Sequence, residues 1–274
     1  MRPLLSLLLL AITLSACSDS NIQTSPDVEE WAELFNGENL DGWDFKINGY
    51  QLNENYANTF RVEDGLMKVR YDEYDNFTNQ FGHIFYEEPF SYYRLQVEYR
   101  FVGEQTEGGP GWAFRNNGIM FHSQPAQTMN LNQDFPTSIE FQLLGGDGEN
   151  DRPNGSVCTP GTHVVVDGEL RTEHCISSNG PTYHGDQWIT AELVAYGDSL
   201  IQHKFNGELV MEYTKPQLET GDPLTGGYFA LQAESHPTDI RSVRVLNLAG
   251  CMDENANNFK SYYVKDTPDE CTYN

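Results

Sequence analysis

"YYRLQVEYRFV", residues 92–102, alternates apolar and polar side chains. The odd positions carry Tyr93, Leu95, Val97, Tyr99 and Phe101, and the even positions between them carry Arg94, Gln96, Glu98 and Arg100. Because successive side chains of a β-strand point to opposite faces, this period of two predicts a strand with one buried face and one face in water.

Other stretches also have the pattern of a β-strand: "TFRV" (59–62), "LMKVRY" (66–71), "NGIMFHS" (117–123), "TSIEFQLLGGDG" (137–148), "WITAELVAY" (188–196), "SLIQHKF" (199–205), "ELVMEY" (208–213), "GYFALQAES" (227–235) and "IRSVRVLNL" (240–248). Gly197-Asp198 and Asn206-Gly207 separate three of them and are strong hairpin signals. "VEEWAELF" (28–35) predicts one short helix. So many antiparallel strands predict a β-sandwich or jelly roll.

The charge balance limits the partners. The 274-residue chain has 16 Lys and Arg against 41 Asp and Glu, for a formal charge of -25. Such a chain repels nucleic acid and anionic lipid surfaces, so we expect a neutral partner and no nucleic acid.

The N-terminus "MRPLLSLLLLAITLSAC" has a positive start and an apolar run too short to span a bilayer, which predicts a signal peptide over residues 1–17. Its Leu-Ser-Ala-Cys ending resembles a bacterial lipobox, which implies cleavage before Cys17 and a lipid on its sulfur. A secretory signal with an incidental cysteine is the alternative. Residues 18–30 are read as a tether, and Ser18 is compatible with sorting to the outer membrane. We therefore expect an envelope protein that meets the membrane through its lipid.

Four cysteines remain after Cys17, and an even set outside the cytoplasm favours disulfides. The simplest of the three pairings joins Cys158 to Cys175 and Cys251 to Cys271. After residue 248 the composition turns polar and rich in Asn, so residues 249–274 are read as a disulfide-closed appendage. Its Asp253, Asn255 and Asn257 alternate like ligands of a divalent metal such as calcium, but a polar cap is the simpler interpretation. No cofactor is required by the sequence.

Five segments resemble the 3-keto-disaccharide hydrolase domain family, formerly a domain of unknown function. They are "ELFNGENLDGW" (33–43), "NNGIMFHS" (116–123), "SIEFQLLGG" (138–146), "DQWITAELVAYGDSLIQHKFNGELV" (186–210) and "GGYFALQAESHPTDIRSVRVLNL" (226–248). They follow the order of the family and span residues 31–248. The resemblance implies an all-β, concanavalin-like jelly-roll β-sandwich of two antiparallel sheets, one of them concave and holding a carbohydrate site. It also implies activity on disaccharides or glucosides whose 3-hydroxyl has been oxidised to a ketone.

The strand around Glu140 argues against conventional hydrolysis. Jelly-roll glucanases carry E-x-D-x-x-E here, whereas this chain reads Glu140, Phe141, Gln142, Leu143, Leu144, Gly145. A 3-keto sugar does not need that carboxyl pair, because the ketone acidifies the C2 hydrogen and permits elimination at C1. Such chemistry needs one base, donors for the enolate oxygen and one acid.

By parity, His122 and Glu140 share a sheet face and are the candidate bases, while Glu234, two residues from Gln232, is the candidate acid. Simple exposure to solvent is the alternative for each. Gln142 and Gln232 can both donate to and accept from sugar hydroxyls. The other candidates for substrate binding are Trp112, Arg115, His236 and Arg241, with core packing, ion pairs or a solvated loop as their alternatives.

Two functions are consistent with these residues. The first is an extracytoplasmic, lipid-anchored enzyme that cleaves keto-modified glycosides by C2 proton abstraction, C1 elimination and water addition. The second is a non-catalytic carbohydrate-binding or envelope-associated module, since the same sandwich can bind glycans without altering them.

Overall fold

A computed structural model of the chain describes residue 25 and residues 27–274. The predicted signal peptide and Cys17 lie outside the described residues. The described part is an all-β sandwich of two large antiparallel sheets, as predicted. Its helical pieces are four 3-10 turns of three residues each, Tyr56–Asn58, Gly111–Ala113, Ala126–Thr128 and Pro268–Glu270.

The larger sheet has ten strands, β1 (Ala32–Glu33), β3 (Phe60–Glu63), β4 (Leu66–Val69), β6 (Tyr92–Phe101), β10 (Thr162–Val166), β11 (Glu169–Arg171), β13 (Ile189–Tyr196), β14 (Leu200–Phe205), β15 (Glu208–Leu218) and β17 (Thr238–Asn247). Its order is β11-β10-β15-β14-β13-β6-β17-β4-β3, with β1 also paired to β17. Burial alternates along β6 as the sequence predicts.

The second sheet has seven strands, β2 (Trp43–Ile47), β5 (Gly82–Tyr86), β7 (Asn116–Ser123), β8 (Ile139–Leu144), β9 (Val157–Cys158), β12 (Cys175–Ile176) and β16 (Tyr228–Ala233). Its order is β12-β9-β8-β7-β16-β5-β2. Apolar side chains such as Ile119, Phe141 and Leu231 face the other sheet and join one core. Glu140 and Gln142 therefore lie on the outer face of this sheet.

Residues 28–35 do not form the predicted helix. Ala32–Glu33 pairs with β17 instead, and the Trp31 ring lies 5.0 Å from the Arg94 guanidinium and 4.8 Å from that of Arg244. Trp31 Nε1 and Arg94 both donate to Glu29, so the end of the predicted tether is fastened to the ten-stranded sheet. These tertiary contacts outweigh a weak helix propensity.

The C-terminal appendage packs on the same sheet. Its short strands β18 (Ala249–Gly250) and β19 (Lys265–Asp266) pair in parallel, and the amides of Val264 and Lys265 both donate to the Leu248 carbonyl. Both predicted disulfides are confirmed, Cys251–Cys271 within the appendage and Cys158–Cys175 between β9 and β12.

A bulge near the end of β7 redirects His122. Phe121 and His122 together oppose Phe229 of β16, and His122 takes a φ of 47°, in the left-handed region. The imidazole is therefore buried, and its Nε2 lies 2.9 Å from the Gly197 carbonyl oxygen in the turn between β13 and β14. The expectation that His122 shares a face with Glu140 is wrong, because the parity of β7 ends at the bulge.

Candidate active site

A pocket of about 300 Å³ lies on the outer face of the seven-stranded sheet. It collects five of its lining residues from β7, β8, the end of β16 and one loop: Asn116, Glu140, Gln142, Glu234 and Trp112. Phe135 lines it as well, and Pro160, His174 and the Cys158–Cys175 disulfide form another part of the wall. Its size is at the lower end of the range typical of small-molecule sites.

Glu140 and Gln232 meet above a glycine. They belong to β8 and β16, which flank β7, and Gly118 of β7 leaves space between them. An ideal Cβ on Gly118 would lie 2.5 Å from Glu140 Oε1 and 2.5 Å from Gln232 Oε1. The absence of a side chain at residue 118 therefore lets the carboxyl and the amide converge on one point.

Both pocket carboxyls favour the protonated form. Burial raises the pKa of Glu140 to about 8, partly opposed by a hydrogen bond from the Gln232 side chain. Burial and the nearby charge of Glu140 raise the pKa of Glu234 well above its ordinary value, and the positive charge of Arg152 acts in the opposite direction. Because two close carboxylates resist simultaneous ionisation, Glu140 ionises first as pH rises, and its charge then holds the proton on Glu234.

A strained turn aims Glu234 into the pocket. The next residue, Ser235, has a φ of 79°, which is uncommon for a residue with a side chain. Its amide donates to Tyr71 Oη at 2.8 Å, and its Oγ accepts from Gln105 Nε2 at 2.9 Å. The surrounding hydrogen bonds hold this turn, as is common where a reactive group must be positioned.

Arg152, which no sequence pattern singles out, organises the pocket wall. Its guanidinium donates to the carbonyls of Trp112 at 3.0 Å, Arg115 at 3.2 Å and Gly145 at 3.0 Å, and also to that of Phe114. It thus fixes the 112–115 loop to the end of β8. A single Arg in the polar loop "GENDRPNG" (148–155) shows no pattern that would have predicted these contacts.

Aromatic side chains supply a flat wall. Trp112 is 54% exposed, and its ring stacks on Phe81 at a centroid distance of 5.5 Å. Phe81 in turn lies 5.2 Å from Phe135, so the three rings form one packed group beside the carboxyls. An exposed, supported indole of this kind suits the apolar face of a ligand ring.

Several buried polar atoms in and under the pocket have no hydrogen-bond partner among the described residues. They include Asn116 Oδ1, Glu234 Oε2 and Gln232 Oε1. Buried polar atoms are rarely left unpaired, so these positions are suited to donors of a bound ligand or water.

Both predicted arginines lie outside the pocket lining. Arg115 donates to the Gly185 carbonyl and to Asp186, each at 2.7 Å. Arg241 belongs to the ten-stranded sheet, where it makes two 2.8 Å hydrogen bonds to Glu98. Both arginines thus form the ion pairs that were the alternative to substrate binding, and the structure brings neither into the pocket. Their partners are distant in sequence, which concealed this pairing.

His236 is buried rather than placed in an exposed rim loop. Its ring packs edge-on against Phe101 at 5.7 Å and Phe114 at 5.2 Å. Burial lowers its pKa to about 4, so the imidazole is neutral at physiological pH. It supports the 112–115 loop from below and does not line the pocket.

Within the described residues, no cluster of three or more His, Cys, Asp or Glu side chains is arranged to hold a metal ion. In the appendage, Asp253 Oδ1 accepts from the amide and the side chain of Asn255, both at 2.9 Å, and its Oδ2 accepts from Tyr273 at 2.7 Å. None of the helices in residues 27–274 has the length and apolar character to cross a bilayer.

The two antiparallel sheets define an all-β, concanavalin-like jelly-roll protein with its candidate site on one outer face. A family model described as a 3-keto-α-glucoside-1,2-lyase-like domain matches residues 30–246. The chain belongs to this family, which confirms the resemblance seen in the sequence.

The chain is also similar, at low sequence identity, to solved structures of other proteins. Two from Parabacteroides distasonis, each titled "putative glycosyl hydrolase", share 14% and 18% identity, with TM-scores of 0.49 and 0.47. Both alignments cover 80% of this chain, and they cover 100% and 94% of the matched chains. The carbohydrate-binding module CBM66 from Bacillus subtilis shares 11% identity at a TM-score of 0.46, over 75% of this chain and 96% of that one. Likeness at this level adds no argument about function. No curated protein sequence matches the chain.

Proposed function

We propose that this protein cleaves 3-keto-disaccharides or 3-keto-glucosides by C2 proton abstraction, elimination at C1 and addition of water. The observation that carries the proposal is the pair of buried carboxyls, Glu140 and Glu234, in one pocket of a chain of this family. Burial raises the pKa of both, and the charge of Glu140 raises that of Glu234 further, so one carboxyl can ionise while the other keeps its proton, as acid–base catalysis needs.

Glu140 is the proposed base. A 3-ketone acidifies the hydrogen on C2, so a carboxylate of raised pKa can remove it. With a pKa of about 8, Glu140 is a stronger base than an ordinary carboxylate, and part of its population is ionised at neutral pH. The Gln232 amide positions that carboxyl above Gly118.

Glu234 is the proposed acid. Its strongly raised pKa keeps it protonated when Glu140 ionises, so it can donate a proton to the departing oxygen on C1. The C2–H and C1–O bonds break, and a C1=C2 double bond forms. The side-chain amides of Gln142 and Asn116, both in the pocket lining, are the proposed donors to the enolate oxygen on C3.

Water completes the reaction. Its hydroxyl adds to C1 and a proton returns to C2, so the products are a 3-keto sugar and the released alcohol or sugar. The net change is hydrolysis without a covalent sugar intermediate. Trp112 and Phe135 are the proposed walls for the apolar faces of the sugar rings, which fits a neutral substrate of a strongly acidic protein.

For the cellular setting, we propose cleavage before Cys17, a lipid on its sulfur, and attachment to the outer membrane. The short apolar N-terminal run and the Leu-Ser-Ala-Cys sequence support this proposal. Two disulfides are consistent with an oxidising compartment outside the cytoplasm.

The test compares a 3-keto-disaccharide with its unoxidised parent, using the intact protein and Glu140→Gln. We expect turnover of the keto sugar alone, and a loss of about 10²-fold or more in the variant. Binding without a product would instead identify a carbohydrate-binding module. Cleavage of the parent would identify an ordinary glycosidase, for which the two carboxyls from different strands would supply the acid and nucleophile that β8 alone lacks.

A further inference from the structure

A second, polar cleft of about 460 Å³ is formed by residues 48–50, residues 78–80 and Asn132. We call it the amide cleft, because Asn and Gln make up four of its seven lining residues. None of the seven is charged, in a chain in which 21% of residues carry a charge. The lining therefore offers uncharged donors and acceptors.

Hydrogen bonds behind the lining fix the amides. Asp134 Oδ1 accepts from Asn48 Nδ2 at 2.5 Å and from Asn79 Nδ2 at 2.9 Å. Gln80 Nε2 donates to Thr78 Oγ1 at 2.9 Å. These bonds set the directions of the side-chain oxygens of Asn48 and Asn79, so a ligand would not have to order them.

A buried lysine joins the walls of the cleft. Lys46, which is 3% exposed, donates through Nζ to the carbonyls of Tyr50 and Leu131, both at 3.0 Å, and to that of Ile47 at 3.1 Å. Tyr50 and Leu131 belong to the segments on either side of the cleft, and Gly49 N–H also donates to Leu131. The cleft is thus a braced feature rather than a gap between loose loops.

The amide cleft has its own aromatic ring, and Phe81 links the cleft to the pocket that holds Glu140 and Glu234, called the carboxyl pocket below. Tyr50 stacks on Tyr56 with a centroid distance of 4.3 Å. The backbone N–H of Asn48 donates to the carbonyl oxygen of Phe81, and the Phe81 ring stacks on Trp112 of the pocket wall. Phe81 thus connects the two sites.

We propose that the amide cleft is a second carbohydrate-binding site, which takes a neutral saccharide without cleaving it. The fixed side-chain oxygens of Asn48 and Asn79 can accept from sugar hydroxyls, the Asn132 amide can donate to them, and an aromatic ring suits a sugar face. A lining without charge offers no ion pair to a phosphate, a carboxylate or a cation. The site does not depend on the reaction proposed for the carboxyl pocket.

The test measures binding of maltohexaose and of cellohexaose by titration calorimetry. The double variant Gln80→Glu/Asn132→Asp keeps the side-chain shapes but replaces amide donors by carboxylates, and Asn257→Asp in the appendage is the matched control. We expect at least one probe to bind, and the double variant to bind it about tenfold or more weakly. The Asn257→Asp control should stay within about twofold, because it does not change the amide cleft.

Unchanged affinity in the double variant would overturn the proposal, as would absence of binding by both probes at millimolar concentrations. Turnover of the 3-keto substrate is assayed separately and should survive in the double variant. A failure of the amide cleft would therefore be distinguishable from a failure of the proposed reaction.

Discussion

Replacing Gly118 by alanine tests the convergence of Glu140 and Gln232 with a single methyl group. The added Cβ would lie 2.5 Å from both side-chain oxygens and 2.9 Å from Glu140 Cγ, whereas ordinary contacts begin near 3.4 Å. Each oxygen must therefore retreat by about 0.9 Å, the difference between 3.4 and 2.5 Å. The backbone at Gly118 has no positive φ, so alanine adds no conformational strain there.

The size of the effect follows from that displacement. A catalytic group misplaced by about 1 Å can cost about 10²-fold in rate, so we expect kcat/KM for a 3-keto-disaccharide to fall about 100-fold. Overpacking should cost about 1–3 kcal/mol of unfolding free energy, which is a modest loss of Tm for a domain of this size. Steady-state kinetics and thermal unfolding of the same preparation measure both effects.

Gly111→Ala is the matched control, because a Cβ there meets no atom within 4 Å and its φ is not positive. It should leave both turnover and stability close to those of the unmodified protein. Full turnover by a folded Gly118→Ala variant would refute the role given to the Glu140–Gln232 contact.

Three further predictions concern named side chains. Because the folded protein favours neutral Glu140, the free energy of unfolding should fall as pH rises from about 5 to 8. In Glu140→Gln this fall should be smaller by on the order of 3 kcal/mol. Identical pH profiles of unfolding for the two proteins would contradict the buried carboxyl. Arg152→Met should lower turnover about tenfold or more, because the 112–115 loop loses its anchor. It should also shift the descending limb of the kcat profile to higher pH, since the positive charge of Arg152 lowers the pKa of Glu234; an unmoved limb would count against that coupling. His122→Asn should keep turnover within about threefold while unfolding becomes about 1–2 kcal/mol easier, through loss of the buried bond to Gly197; a hundredfold loss in a folded variant would restore His122 as a candidate base.

Residue patterns predict the fold because period-two alternation is local and repeated. The same parity argument places Glu140 and Gln142 on one outer face, and Glu234 reaches the same pocket. It fails at His122, since one extra residue in β7 reverses the direction of the side chain. No local pattern reveals where a bulge falls.

Other parts of the site depend on contacts distant in sequence. Arg115 and Arg241 have the right chemistry for an anion, but Asp186 and Glu98 already bind them. The contribution of Arg152 comes from carbonyls of three loop residues and of Gly145, which only the folded chain brings together. The role of Gly118 likewise cannot be predicted without knowing that β8 and β16 flank β7.

Solvent isotope incorporation tests the proposed reaction at the atom where it departs from ordinary hydrolysis. The protein is incubated with a 3-keto-disaccharide in D₂O, and the early 3-keto product is examined by NMR and mass spectrometry. The product incubated without protein gives the rate of spontaneous exchange. Elimination followed by water addition predicts one deuterium at C2 in every product molecule, beyond that background. Product that retains its C2 hydrogen would contradict proton abstraction by Glu140.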